Sequence, residues 1–246
     1  MRIRVFQTAD ELARATATLL AVRAARAVME RGQAAVAIPG GATPRPILEA
    51  LARPPLSEVA PWQAMHFFLT DERCLPLDDP ASNFGQAKAL LFDQVPLGKY
   101  AVHPIPVDRY EPEEAAARYE ADLRTHFGGL PPEFDFLLLG VGNDGHVASL
   151  FPGDPILQDA GKAWAVPVSP PPSAQPPVTR VSLTLPVLRA AHSVVIALTG
   201  ASKAGIARQL LGPEASQNGH HPASLVRAQA ELFWFLDAEA ARGLEN

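Results

Sequence analysis

The segment Gly140-Val-Gly-Asn-Asp-Gly-His146 contains Asp144 and His146, two side chains that can take up and release protons. The segment follows a run of apolar residues that is typical of a buried strand. Histidine titrates nearest neutrality, so His146 is the first candidate for a general base. The segment also contains a Gly-x-Gly-x-x-Gly pattern. A dinucleotide fold needs the last glycine to open a long helix, however, and Pro152 follows six residues after His146. We predict a loop that presents Asp144 and His146, and no dinucleotide site.

A second glycine-rich segment, Gly40-Gly-Ala-Thr-Pro44, stands between an apolar run and a predicted helix. Gly40 and Gly41 allow a ligand to approach the backbone closely, and Pro44 suits a first helical turn. Free N–H groups and the helix dipole attract anions there, with the Thr43 hydroxyl as a further donor. The segment therefore predicts a phosphate site. The alternative is a tight turn that needs glycine for its geometry alone.

Charged residues follow another apolar run at Thr70-Asp-Glu-Arg73, and Asn83 lies shortly afterwards. Asp71 is a candidate base or a group that orients one. Arg73 offers a planar fork for a phosphate or for a developing oxyanion. The alternative is a solvated loop with a local salt bridge.

Two further basic residues lie next to predicted strands. Arg180 opens one strand, and Lys203 lies in the first turn of the helix that follows another. Their positive charges would strengthen the electrostatic attraction of a phosphate to the site. A solvated lysine on an exposed helix is the alternative for Lys203.

Other catalytic chemistries are not expected. There is no Gly-x-Ser-x-Gly elbow for a nucleophilic serine. Arg73 could lower the pKa of the adjacent Cys74, but no histidine motif accompanies this thiol. A single cysteine and the absence of His-Glu-x-x-His argue against a metal site, even at the adjacent histidines 220 and 221. We interpret all histidines other than His146 as structural or surface residues: His66, His103, His126, His192, His220 and His221.

The pattern of apolar runs predicts strands alternating with helices. Thr8 and Glu11 form a capping box for a helix that ends near Arg31, before Gly32. Further helices are predicted at 44–52, 83–91, 112–127 and 202–211, with a short one at the C-terminus, and strands at 34–39, 65–70, 134–139, 181–185, 194–199 and 231–236. Because several strands are apolar on both faces, we predict a doubly wound, mostly parallel, Rossmann-like α/β sheet with helices on both faces. Such sheets bind ligands beyond the carboxyl ends of their strands.

Composition limits the class of protein further. The chain has 246 residues, 48% hydrophobic and 19% charged, which excludes a disordered chain. We expect a single domain over 1–246, with the proline-rich stretch 169–177 as a stiff loop inside it. The net charge of −5 argues against nucleic acid as a partner, and no apolar run approaches the ~20 residues of a membrane span. The single cysteine excludes a disulfide framework. We expect a cytoplasmic protein that does not bind membranes.

Five segments in this order closely resemble the 6-phosphogluconolactonase family, part of the glucosamine-6-phosphate isomerase/6-phosphogluconolactonase superfamily. The resemblance runs from about residue 6 to residue 237. It implies hydrolysis of a sugar-phosphate lactone, 6-phospho-D-glucono-1,5-lactone, in the oxidative pentose phosphate pathway. It also implies that the reaction uses no cofactor and no metal. The segments are Gly40-Gly-Ala-Thr-Pro44, Thr70-Asp-Glu-Arg73 with Ser82-Asn83, Gly140-Val-Gly-Asn-Asp-Gly-His-Val-Ala-Ser-Leu-Phe-Pro152, Arg180-Val-Ser-Leu-Thr-Leu-Pro186 and Gly200-Ala-Ser-Lys-Ala204.

The resemblance implies a role for each candidate residue. His146 would be the general base that takes a proton from water, and Asp144 would hold it in position. Arg73 or nearby backbone N–H groups would stabilise the oxyanion, although Arg73 could instead bind phosphate. The sequence does not decide whether Asp71 or Asp144 is the acidic partner of His146. The remaining candidates for binding the substrate or its phosphate are Gly40, Gly41, Thr43, Asn83, Gly142, Arg180 and Lys203.

Two alternative functions stay open at this stage. Glucosamine-6-phosphate deaminases share two of the motifs but carry a glutamate after the glycine-rich loop, where this chain has Ser149-Leu-Phe-Pro152. They also show Asp-Glu-Tyr where this chain has Asp71-Glu-Arg73. Both differences favour a lactonase over a deaminase or isomerase. A non-catalytic sugar-phosphate-binding protein is the other alternative. The sequence does not predict the oligomeric state.

Overall fold

A seven-stranded sheet forms the centre of the computed structural model, which describes residues 1–158, 161–213, 215 and 221–244. The strands are β1 (Arg2–Phe6), β2 (Ala34–Ile38), β3 (Met65–Leu69), β4 (Asp71–Arg73), β5 (Val102–His103), β6 (Phe136–Gly140), β7 (Ala165–Val168), β8 (Arg180–Leu183), β9 (Ser193–Leu198) and β10 (Glu231–Asp237). The α-helices are α1 (Ala9–Arg31), α2 (Pro44–Leu51), α3 (Leu56–Val59), α4 (Asn83–Ala87), α5 (Pro112–His126), α6 (Leu185–Arg189), α7 (Ala204–Leu211) and α8 (Pro222–Leu225).

The large sheet is parallel throughout, with the strand order β1-β10-β9-β6-β2-β3-β5. The chain proceeds from β2 to β3 and β5 on one side, then returns to place β6, β9 and β10 on the other. The order therefore reverses between β2 and β6. Ligands of doubly wound sheets bind at the carboxyl ends of the strands beside such a reversal, so the segments after β2 and β6 border the expected crevice.

Both faces of this sheet are covered by helices, because successive residues of each strand point to opposite sides. Val36 and Val195 pack with α1 and α2 in one apolar core. Their neighbours Ala37 and Ile196 pack with α5, α6 and α7 in the other. The predicted doubly wound, mostly parallel α/β fold is confirmed.

A second sheet was not predicted. Strands β4, β8 and β7 form a three-stranded antiparallel sheet in that order. Thr70 connects the two sheets, since its N–H donates to Ile38 (3.0 Å) and its carbonyl accepts from Leu183 (2.8 Å). Residues 71–73 form a strand that the sequence analysis did not predict, and the predicted strand at 181–185 belongs to this sheet instead of the parallel one. Strand β4 is only three residues long and polar, so it carries no apolar pattern.

Several element boundaries also differ from the prediction. Helix α1 has the predicted caps, with Glu11 N–H donating to Thr8 Oγ1 and Gly32 in the left-handed region at φ 80°. The edge strand β1 was not predicted, and its residues are largely exposed. Residues 201–203 form a 3₁₀ turn ahead of α7, and 238–243 form turns where a short C-terminal helix was predicted. Among the residues described, none of the helices combines the length and apolar composition needed to cross a membrane.

Candidate active site

A cavity of about 230 Å³ opens at the carboxyl ends of β2, β3, β6 and β9, next to the antiparallel sheet. Asp144 borders a wider cleft formed with residues 151–156, 167–171 and 173. Its hydrogen bond to His146 connects it to the smaller cavity. The structure brings the other predicted site residues together in the lining of the smaller cavity: Gly40, Gly41, Thr43, Asp71, Arg73, Asn83, Gly142, His146, Arg180 and Lys203.

Asp144 and His146 form a hydrogen-bonded pair on the loop after β6. Oδ1 of Asp144 lies 2.6 Å from Nδ1 of His146 and also accepts the His146 backbone N–H at 3.2 Å. Burial raises the pKa of the Asp144 carboxyl, but the hydrogen bonds and charge of His146 outweigh it, so the pKa falls below its ordinary value. When Nδ1 donates its proton to Asp144, the lone pair of Nε2 is available to accept a proton from water.

The loop that carries this pair is fixed by its own backbone and by a neighbouring segment. Gly142 N–H donates to the carbonyl of His146 (2.9 Å), and Gly145 N–H donates to that of Gly142 (3.0 Å). Nδ1 of His221 lies 2.9 Å from the carbonyl of Asp144. A Cβ atom on Gly145 (φ 83°) would lie 2.5 Å from the same Nδ1. His221 therefore supports the loop, whereas its neighbour His220 lies outside the described residues.

Asp71 is buried and makes different contacts from Asp144. Its Oδ1 accepts from the hydroxyl of Thr70 (3.0 Å), and its Oδ2 accepts from that of Ser149 (2.6 Å). Ser149 lies on the loop that follows His146, so Asp71 ties this loop to β4. The imidazole itself is paired with Asp144.

Glu72, which the sequence analysis did not assign, organises the neighbouring turn. Its carboxylate is completely buried and accepts hydrogen bonds from the N–H groups of Arg73, Asn83 and Phe84 and from the Ser82 hydroxyl, at 2.7–2.9 Å. Burial raises the pKa of Glu72, while these donors lower it by a smaller amount. The alternative of a solvated loop at this segment is wrong.

The turn after β2 is shaped by close contact with Asn83. A Cβ atom on Gly40 would lie 1.8 Å from Oδ1 of Asn83, so only glycine fits there. Asn83 in turn donates from Nδ2 to the carbonyl of Asp71 at 2.8 Å. Gly41 has φ 104°, a conformation that glycine adopts without strain. The Thr43 hydroxyl lies 3.0 Å from that of Thr199 at the end of β9.

Two arginines occupy directly opposed positions on β4 and β8. Arg73 pairs with Arg180 in the strand register, an arrangement in which like charges repel. Burial lowers the pKa of Arg180; Asp71 opposes this effect, and the charge of Arg73 adds to it. Each guanidinium donates to backbone carbonyls, Arg73 to Ala81 and Arg180 to residues 175 and 176.

The two arginines line the cavity, and each retains a hydrogen-bond donor without a partner among the described residues. The Nε atoms of Arg73 and Arg180 are buried and have no partner among the described residues, and the same holds for Oδ1 of Asn83. Buried polar groups in native proteins are nearly always hydrogen-bonded, so unpaired donors beside a cavity indicate a ligand. Two opposed cations favour an anionic ligand.

Lys203 reaches the cavity from the 3₁₀ turn after β9. Its Nζ donates to Oδ1 of Asn143 (2.8 Å) on the same loop as His146. Burial lowers the pKa of Lys203, and the charge of Asp144 opposes this effect. The lysine is therefore half-buried and is held next to the cavity by its contact with Asn143.

Some residues at the site were not assigned from the sequence. The Phe151 ring lies 4.8 Å from the His146 ring and 5.4 Å from the Arg180 guanidinium carbon, so it packs against both groups. The sequence pattern shows which residues follow each strand, but it does not show that the Phe151 ring packs against them. The expectation that Arg73 could lower the pKa of Cys74 is also wrong, because burial and the charge of Glu72 raise that pKa to about 11.

Comparisons with known proteins agree over most of the chain. The family model of "Glucosamine-6-phosphate isomerases/6-phosphogluconolactonase" matches residues 7–234. A 6-phosphogluconolactonase of Synechocystis is 39% identical over 225 residues, which are 90% of this chain and 89% of the relative. The Homo sapiens 6-phosphogluconolactonase is 39% identical over 249 residues, covering 98% and 92%. The crystal structure of 6-phosphogluconolactonase from Thermotoga maritima gives a TM-score of 0.81 at 29% identity, covering 96% of this chain and 99% of that one.

Proposed function

Because the chain belongs to the family of glucosamine-6-phosphate isomerases and 6-phosphogluconolactonases, we propose that it hydrolyses 6-phospho-D-glucono-1,5-lactone to 6-phospho-D-gluconate. The observation that carries this proposal is the Asp144–His146 pair in a cavity that also holds Arg73, Arg180 and Lys203. The pair supplies a base for water, and the cations supply a site for a phosphorylated substrate.

The reaction needs one activated water. Nε2 of His146 takes a proton from water while the oxygen attacks C1 of the lactone, and the carbonyl becomes an oxyanion. The bond between C1 and the ring oxygen then breaks, and the ring oxygen takes the proton back from His146. Asp144 holds the imidazole in the required orientation and stabilises its protonated form. General-base assistance of this kind is worth ~10²–10⁴-fold in rate.

Two different anions must be bound during this reaction. We assign the 6-phosphate to Arg180, Lys203 and the turn after β2, which contains Gly41 and Thr43 and leads into α2. Arg73 is assigned to the oxyanion at C1, because its guanidinium lines the cavity beside His146. A donor to an oxyanion typically contributes ~10²–10³-fold. Gly40, Asn83 and Gly142 shape the cavity through the close contacts described above.

The acidic residues have separate tasks in this scheme. Asp144 contacts the imidazole directly, whereas Asp71 fixes the loop after His146 through Ser149. Asp71 is therefore a positioning residue, and its negative charge also lies close enough to affect Arg180.

The remaining aspects of function follow from composition. The net charge of −5 gives no overall field that attracts a polyanion, which supports the proposal that nucleic acid is not a partner. The single cysteine suits a reducing compartment, and we propose a cytoplasmic location.

The test is hydrolysis of freshly prepared 6-phosphoglucono-δ-lactone, with the spontaneous rate subtracted. Unphosphorylated glucono-δ-lactone is the matched substrate, and it should react with a much higher KM because it lacks the phosphate. Glucosamine 6-phosphate is offered in parallel and should release no ammonia. Ammonia release without lactone hydrolysis would assign the chain to the deaminases, and binding without turnover would make it a sugar-phosphate-binding protein.

A further inference from the structure

Three histidines that the sequence analysis interpreted as structural or surface residues meet at a place outside the cavity. His66 is the second residue of β3, His103 ends β5, and His126 is the last residue of α5. Each offers a ring nitrogen, and these nitrogens all lie within 4.8 Å of one another. Their separation along the chain hides them from any motif search.

The ring nitrogen of His103 that faces away from the group is held by a carboxylate, since Nδ1 of His103 lies 2.8 Å from Oδ2 of Asp122. The other nitrogen of this ring, Nε2, faces Nδ1 of His66 at 3.1 Å. Two ring nitrogens of neighbouring strands therefore point at each other, and a carboxylate orients one ring from behind. Histidine ligands of metals are oriented in this way by an outer carboxylate or carbonyl.

The third imidazole completes a compact group. The His126 ring centroid lies 4.6 Å from that of His66 and 5.3 Å from that of His103. Phe68 stacks on His103 at 4.0 Å with an interplanar angle of 6°, which restricts rotation of that ring.

We propose that His66, His103 and His126 bind a zinc ion, with Asp122 orienting His103. Zinc takes imidazole nitrogens at about 2.0–2.1 Å in tetrahedral geometry, which places two such ligands about 3.3 Å apart. The His66–His103 separation of 3.1 Å already matches that value, and the His126 side chain needs to move inward by about 1–2 Å. Three neutral imidazoles suit zinc better than magnesium or calcium, and water fills the fourth position.

This site is separate from the cavity. His66 and Asp71 are five residues apart along a nearly extended chain, so they are separated by about 16 Å at ~3.3 Å per residue. An ion there would join β3, β5 and α5. The site would therefore raise the thermal stability of the protein without taking part in the reaction.

Titration calorimetry of the full chain with zinc chloride, after removal of metal by a chelator, tests the proposal. We expect one zinc ion per chain. Asp122→Asn should weaken binding about 10–100-fold, the usual effect of removing an outer carboxylate. His126→Gln and His103→Gln should weaken it further. His192→Gln is the matched control, because this imidazole lies apart from the group, beside Glu133.

Other outcomes would overturn the proposal. Binding that survives in His103→Gln but disappears in His146→Ala would place the ion in the cavity. Binding by the wild type no tighter than by His126→Gln would show that the three rings only pack together. Zinc X-ray absorption of the wild type needs no variant to fold: it should show three imidazole nitrogens near 2.0–2.1 Å, and fewer imidazoles would contradict the site.

Discussion

Gly142 and His146 lie so close together that a Cβ atom on Gly142 would stand 2.1 Å from Nδ1 of His146. The same Cβ atom would lie 2.5 Å from Oδ1 of Asp144. The missing side chain at position 142 is therefore what allows the hydrogen bond between Asp144 and His146 to form. This glycine belongs to a Gly-x-Gly-x-x-Gly pattern, but its task is to make room for an acid–base pair and not for a dinucleotide.

Replacing Gly142 with alanine should impair catalysis with little effect on folding. The new methyl group displaces the imidazole, and a misplacement of about 1 Å can cost about 100-fold in rate. Gly140→Ala is the matched control, because a Cβ atom there meets nothing within 4 Å among the described residues. We expect kcat to fall about 100-fold in Gly142→Ala and little in Gly140→Ala. Equal kcat values for the two variants would show that this contact is not important.

The Glu72 carboxylate should be essential for stability. Glu72→Gln keeps the shape but replaces one acceptor oxygen with a donor that faces the N–H groups of the turn. Each buried group left without a partner costs about 1–3 kcal/mol, so the free energy of unfolding should fall by about 2–4 kcal/mol. Urea denaturation measures this change, with the exposed Glu58→Gln as control. A loss no larger than that of the control would contradict the role given to Glu72.

The sequence predicted much of the site because parallel strands end at one edge of a sheet. The segments after β2, β3, β6 and β9 were identified from apolar runs followed by glycine or charged residues, and the structure places them around one cavity. The reversal of strand order between β2 and β6 explains why two glycine-rich segments, far apart in sequence, face each other.

Features that depend on tertiary contacts escaped prediction. The antiparallel sheet was missed because β4 is short and polar, so the opposition of Arg73 and Arg180 was not foreseen. The buried state of Glu72 depends on donors from residues 82–84, and a charged side chain is ordinarily expected to be solvated. The support that His221 gives to the Asp144 loop comes from a segment with no pattern of its own.

Substitutions of the two arginines should separate binding from catalysis. If Arg180 binds the phosphate and Arg73 the oxyanion, Arg180→Gln raises KM, whereas Arg73→Gln lowers kcat about 10²–10³-fold. Steady-state kinetics with the phosphorylated lactone measures both constants. The reverse pattern would exchange the two assignments. Arg73 and Arg180 lie directly opposite each other on β4 and β8, so each variant serves as the matched control for the other.

Lys203 should make ligand affinity depend on pH. Burial lowers its pKa below the ordinary 10.5, so as pH rises Lys203 loses its proton earlier than an exposed lysine. The affinity for 6-phosphogluconate, measured by calorimetry, should therefore decrease before pH 10.5 is reached. Arginine stays charged in this range, so Lys203→Arg should remove the decrease.

Two results bear on the role of Lys203 itself. Lys203→Ala should mainly raise KM in the hydrolysis assay, and an unaltered KM would exclude Lys203 from the phosphate site. A wild-type affinity that stays constant up to pH 10.5 would show that the lysine charge does not act on the ligand.

The most direct test of the proposed mechanism is kcat for 6-phosphoglucono-δ-lactone in His146→Ala, with the spontaneous rate subtracted and the product affinity measured on the same preparation. Loss of the base should lower kcat ~10²–10⁴-fold, while the dissociation constant of 6-phosphogluconate changes little. A kcat equal to that of the wild type, in a variant that still binds product, would contradict the assignment of His146 as the general base.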